Sequence, residues 1–193
     1  MDLSSLNTTD IALIVALVVI VIGGIAALLF MRKRRTAKLR TRFGGPEYDR
    51  ALKEGGGQRR AEAKLEQRTD RVESFHLRSL STADHARFVE SWHKVQARFV
   101  DSPGGAVTEA DQLLADVMSL RGYPVSDFEQ RAADISVDHP LVMENYRAAH
   151  AIAISQAAGH ASTEDLRQAM IHYRSLFEEL IAEPEISRAA VAS

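Results

Sequence analysis

The chain contains no cysteine. That excludes disulfides, thiolate zinc sites and a cysteine nucleophile. Other chemistry-bearing patterns are missing as well. There is no His-Glu-x-x-His pair to hold zinc, no serine in a nucleophile elbow and no glycine-rich strand-to-helix turn to cradle a nucleotide. Gly55-Gly56-Gly57 follows no strand and precedes no Lys-Ser/Thr, so it is not a phosphate loop. No segment alternates with period two between hairpin turns, and no repeat of fixed period is visible. These absences predict an all-α protein that is not an enzyme. They assign no catalytic residue, no metal ligand and no cofactor.

Charge is missing from one stretch. Ile11 to Met31 reads IALIVALVVIVIGGIAALLFM, twenty-one residues without a charge or a strong hydrogen-bonding side chain. A helix of that length reaches about 31 Å, close to the hydrocarbon thickness of a bilayer. Apolar residues on every side suit lipid, because the helix satisfies its own backbone groups. A cleaved signal would carry positive charge before a shorter apolar run and small residues at a cleavage site. Here Asp2 and Asp10 precede the run, while Arg32, Lys33, Arg34, Arg35, Lys38, Arg40 and Arg42 follow it. The positive-inside rule then predicts the N-terminus outside and the rest in the cytoplasm. Ala12, Ala16, Gly23, Gly24 and Ala27 are small residues at spacings that would let two such helices approach closely.

The net charge of −2 hides an asymmetry. Residues 32–80 carry 15 basic against 7 acidic side chains, a net of +8, and residues 81–193 carry 9 against 17, a net of −8. The basic collar from Arg32 to Arg42 fits anionic lipid headgroups, although fixing topology alone accounts for it. The acidic domain would repel a phosphate backbone, so nucleic acid is not an expected partner.

Five segments have their own helix signals beyond the collar. Ser81 with Asp84 starts the first, whose expected buried face is His85, Phe88, Val89, Trp92, Val95 and Phe99. Ser102-Pro103 starts the second, with Ala106, Val107, Ala110, Leu113, Leu114, Val117 and Met118 on one face. Ser126 and Glu129 read as a capping box for a short third. Asp138 and Pro140 open a fourth, whose apolar residues, Leu141 to Ile154, surround more than half its circumference and predict the most buried helix. Ser162 caps the fifth, with Leu166, Ala169, Met170, Tyr173, Phe177, Leu180 and Ile181 at helical spacing. The expected organisation is an extracytoplasmic tail (1–10), a transmembrane helix (11–31), a basic stalk with hinges at Gly44-Gly45 and Gly55–Gly57 and a polar helix (32–80), a bundle of four or five helices (81–183) and a disordered tail (184–193).

Two stretches, RFGGPEYDRAL at Arg42 to Leu52 and VQARFVDSPGGAVTEAD at Val95 to Asp111, resemble a group of uncharacterised bacterial single-pass membrane proteins. GYPVSDFEQRAADISVDHP and STEDLRQAMIHYRSLFEELI are similar to the same group's C-terminal half. The resemblance covers Arg42 to Ile181 and departs in having Gly44 and Gly45 where the group has one glycine. It implies a bacterial inner membrane and no particular activity.

Together these features predict a membrane-anchored cytoplasmic module. It meets the bilayer through Ile11–Met31 and binds another protein or its own copies. The competing expectation is a ligand-binding or enzymatic bundle with a site around His150, Tyr146 and Tyr173. Convergent polar groups in a pocket would favour the second, and a filled core with an exposed apolar groove the first.

Overall fold

The structure, a computed structural model, describes residues 8–124 and 126–182. Most of the expected N-terminal tail and the whole expected disordered tail lie outside the described residues. Among those described the fold is all-α, with eight α-helices, one 3-10 turn and no strand. The chain divides into two compact units, Met1–Thr41 and Arg42–Ser193.

Helix α1 (Thr8–Arg42) forms the first unit. Its large apolar side chains from Leu17 to Met31 are 48–69% exposed, so no protein surface covers them. Among the described residues it is the one helix long and apolar enough to cross a membrane. It does not stop at Met31 but continues through the basic collar, adding about 16 Å of helix. The Arg34 guanidinium lies 4.4 Å from the centroid of the Phe30 ring, placing a cation over the last aromatic of the apolar run.

The second unit begins with a helical hairpin, α2 (Gly44–Gly55) and α3 (Gln58–Glu73). Gly56 and Gly57 turn the chain at φ 63° and 140°, which L side chains rarely adopt. Tyr48, Ala51, Ala61 and Leu65 are buried, and the Tyr48 hydroxyl donates to Glu62 Oε1 at 2.9 Å. The triple glycine is therefore a tight turn between packed helices, which differs from the open hinge expected there. The hairpin also packs on the bundle, so residues 42–80 are no free stalk. Residues 74–81 continue along the bundle, with Phe75, Leu77 and Leu80 against its core. Gly122, at φ 95°, is crossed so closely that a Cβ would sit 2.5 Å from the His76 carbonyl oxygen.

Five helices make the bundle: α4 (Thr82–Arg98), α5 (Pro103–Leu120), α6 (Phe128–Ile135), α7 (Met143–Ala157) and α8 (Thr163–Ala182). Ser81 caps α4 by accepting from the Asp84 N–H at 3.1 Å. Ser162 and Asp165 cap α8 reciprocally, each accepting from the other's backbone N–H. The cap of α6 is Asp127, which accepts from the Gln130 N–H at 2.9 Å, and not Ser126 with Glu129. Phe128, Ala132 and Ile135 face the core from this helix. All seven apolar residues expected on α5 are buried. Trp92 of α4 stacks on Phe177 of α8 with ring centroids 4.7 Å apart.

Helix α7 departs from its expectation of deepest burial. Pro140–Val142 form a 3-10 turn and the α-helix begins only at Met143. Just three α7 residues, Met143, Tyr146 and Ala149, are buried, against seven each on α5 and α8. Leu141 is 82% and Ile154 59% exposed. Several elements pack on α7 and cover most of its other positions only partly, Ile152 and Ala153 among them.

Candidate functional site

The three residues singled out for a site come together in the bundle, with companions the sequence did not mark. Tyr146 and His150 are one turn apart on α7, and Tyr173 reaches them from α8. The rings of Tyr146 and Tyr173 are 6.2 Å apart, and both residues are fully buried. Phe128, the first residue of α6, lies over them from another side. It stacks flat on His150, with centroids 3.5 Å apart and planes 6° apart, and sits 5.0 Å from Tyr146. Asp111 of α5 and Arg131 of α6 complete the group.

Burial pushes the pKa of both phenols up, by disfavouring phenolate. The Asp111 carboxylate, which the Tyr173 hydroxyl faces, raises both further, while Arg131 opposes the shift. Burial pushes the pKa of the half-buried His150 ring down, favouring its uncharged form. The Tyr173 hydroxyl bonds the Asp111 carboxylate only loosely, and neither hydroxyl, nor Asp111 Oδ1, Arg131 Nε or His150 Nδ1, closes a well-formed hydrogen bond within the protein. Neutral phenols beside one carboxylate and one guanidinium are suited to holding a polar guest.

A second polar centre joins the hairpin to the bundle. Glu47 of α2 is 3% exposed and accepts from Arg68 of α3 at 2.9 Å and from Arg147 of α7 at 3.1 Å. Asp134 of α6, also buried, accepts from Arg71 Nε of α3 at 3.0 Å and from Gln130 at 2.7 Å. Arg68 interrupts what reads as a heptad seam along Ala61, Leu65 and Val72. Its role is to reach Glu47. A cleft of about 770 Å³ runs along this centre between α2 and α7 and carries both signs of charge, including Asp49, Arg50, Glu144 and Arg147.

Asp138, expected to open the fourth helix, and its neighbour His139 do other work. Asp138 accepts from the Tyr123 hydroxyl at 2.9 Å, and His139 is buried with Nδ1 3.5 Å from Glu179 Oε1. Arg121, 1% exposed, donates to the Leu180 carbonyl at 2.6 Å near the end of α8, where the helix leaves acceptors open. His85 and His93 are exposed on α4, and among the described residues no cluster of carboxylates and histidines is arranged to hold a metal ion.

One surface feature is apolar. A shallow groove of about 180 Å³ between α4 and α8 has Phe99, Met170 and Ile171 on its floor and Gln96, Arg167 and Arg174 at its edges. Ile171 is 47% exposed. This groove and the polar group under α6 are separate features of the bundle, and they answer to the two functional expectations. The chain matches no family model, no curated protein and no solved structure.

Proposed function

We propose that the chain is a membrane-anchored protein-interaction module of the bacterial plasma membrane, with its N-terminus outside and the unit from Arg42 onward in the cytoplasm. The carrying observation is α1, with apolar side chains uncovered over a bilayer-length stretch and seven cations directly behind them. Those cations also fit anionic headgroups, each contributing on the order of 1 kcal/mol. The resemblance of Arg42 to Ile181 to bacterial single-pass proteins supports the same compartment. For the folded unit, the α4–α8 groove is the feature that suits a protein partner or a second copy. Its apolar floor takes an apolar side chain, and its two arginines are held at the edges by Glu164 and Glu178 of the same helix. Confinement to a membrane raises the effective concentration of such a partner without any new contact.

The test joins topology and contact. Protease added to intact spheroplasts should leave the folded unit uncut, and digestion without lysis would overturn the orientation. A photo-crosslinking residue at Ile171, in native membranes, should give a protein adduct, whereas one at Lys94 on the exposed side of α4 should not. Equal labelling from both positions, or none from Ile171, would remove the groove as an interaction surface.

A further inference from the structure

A cleft of about 460 Å³ opens where the segment before α4 meets α4 and α5. Phe88 of α4 and Leu113 and Leu120 of α5 give it an apolar floor, and Arg78 and Arg87 line it against one acid, Asp116. That balance runs against its surroundings, since residues 81–193 carry a net of −8. Arg87 lies 5.0 Å from the centroid of the Phe88 ring and shares the neighbouring Asp84 at 2.9 Å. Arg78 donates to the Leu120 carbonyl at the end of α5, and among the described residues no carboxylate pairs with it. Guanidinium groups beside an apolar floor suit a segment that carries acids next to an apolar side chain.

Such a segment follows α8. The Leu180 carbonyl accepts from Arg121, the residue next to Leu120, at 2.6 Å, so α8 ends beside the helix that walls the cleft. The described residues stop at Ala182, and the sequence continues Glu183-Pro184-Glu185-Ile186. Two acids and one large apolar residue within four positions answer two arginines and an apolar floor. Six residues span at most about 20 Å. That is enough to pass from Leu180 across the end of α5, a helix about 10 Å wide. Exposed ion pairs are weak one by one. A segment tethered this close nevertheless meets its site at an effective concentration of roughly millimolar, so a weak site is filled.

We propose that this cleft is the docking site of the chain's own residues 183–186, with Glu183 and Glu185 on Arg78 and Arg87 and with Ile186 on Phe88, Leu113 and Leu120. The docked segment fastens the end of α8 across α5 to α4. It also fills a site for which an acidic, apolar segment of another protein would have to compete. The α4–α8 groove shares no residue with this cleft, so the two surfaces are independent.

The experiment uses the full chain in detergent micelles, with a photo-crosslinking residue in place of Ser187 and the adducts mapped by mass spectrometry. Chains of normal and heavy-isotope mass are mixed, which separates adducts within one chain from those between chains. Adducts within one chain should fall on the α4 and α5 walls of the cleft. Their yield should drop about fivefold when Glu183→Gln, Glu185→Gln and Ile186→Ser are combined, a variant that leaves the packed helices unaltered. Arg87→Gln should lower the yield from the other side, and so should high salt. No adduct in the cleft, or a yield unmoved by the triple variant or by Arg87→Gln, would overturn the proposal. Adducts at residues 167–174 would overturn it too, by placing the segment in the α4–α8 groove. Adducts formed only between chains would do the same, by making a second copy the occupant.

Discussion

The hairpin α2–α3 and the bundle α4–α8 belong to one folded unit but are held by different forces. The bundle closes over an apolar core in which Trp92, Leu114, Tyr146 and Phe177 are all buried. The hairpin buries apolar residues of its own, Phe43, Leu65 and Val72 among them, outside that core cluster. Its docking relies on buried carboxylates, Glu47 and Asp134, each meeting arginine across the boundary. Apolar burial is non-directional and roughly additive with area. A buried carboxylate held by arginines is directional, and losing one partner leaves the other's desolvation cost uncompensated. The bundle should therefore fail as a whole and the hairpin by local release.

The largest expected effect breaks the bundle. Phe177→Ala removes a ring that is 2% exposed and stacked on Trp92, and should cost about 3–5 kcal/mol. Denaturant unfolding of the full chain in micelles would show it, and an unchanged midpoint would place the core elsewhere.

Next comes the hairpin. Glu47→Ala leaves Arg68 and Arg147 facing each other without their anion. Docking should weaken by about 1–3 kcal/mol, the range for hydrogen bonds to charged groups and buried unsatisfied partners. Amide exchange in α2 and α3 should quicken while α8 keeps its protection. Equal acceleration in α8 would show that hairpin and bundle open together and that the contrast does not hold.

A smaller effect follows from pH. Burial pushes the His139 pKa below its ordinary value, with Arg121 acting in the same direction and Glu179 and Asp138 opposing. The unfolded chain therefore takes up its proton first, near pH 6.5, and the folded state only at lower pH. This contribution to stability is complete above about pH 6.5 and is lost as pH falls through the depressed folded value. His150 shifts in the same direction. Urea midpoints of wild type should fall over that range more steeply than those of His139→Asn. Parallel profiles would show that His139 titrates alike in both states.

The helical class, most start points and the apolar faces of α5 and α8 were readable from local signals. Caps at Ser81 and Ser162 act within three residues, and one-sided spacing over several turns leaves little choice of which face is buried. The start of α6 was misread because Ser126 and Asp127 are adjacent and both competent to cap. Only the register of Phe128 on its neighbours decides between them. The burial of α7 was overestimated because composition reports how apolar a helix is and not how closely its neighbours cover it. His150, Tyr146 and Tyr173 were legible as a group because two share a face of one helix. Asp111 and Arg131 were not, since each reads alone as an ordinary charged residue.

By itself the sequence determined that the chain is helical and that it carries a bilayer-length apolar helix with cations behind it. Those features depend on neighbours a few residues away, and a run of apolar residues does not change character with fold. Tertiary structure alone decided that residues 42–80 dock on the bundle and that Arg68 answers Glu47. It alone also put an acid from α5 and a guanidinium from α6 beside two buried phenols. Such pairings join residues up to 100 positions apart, as Glu47 and Arg147 are. Their stability comes from removing both charges from water together, a condition that exists only once the chain has folded.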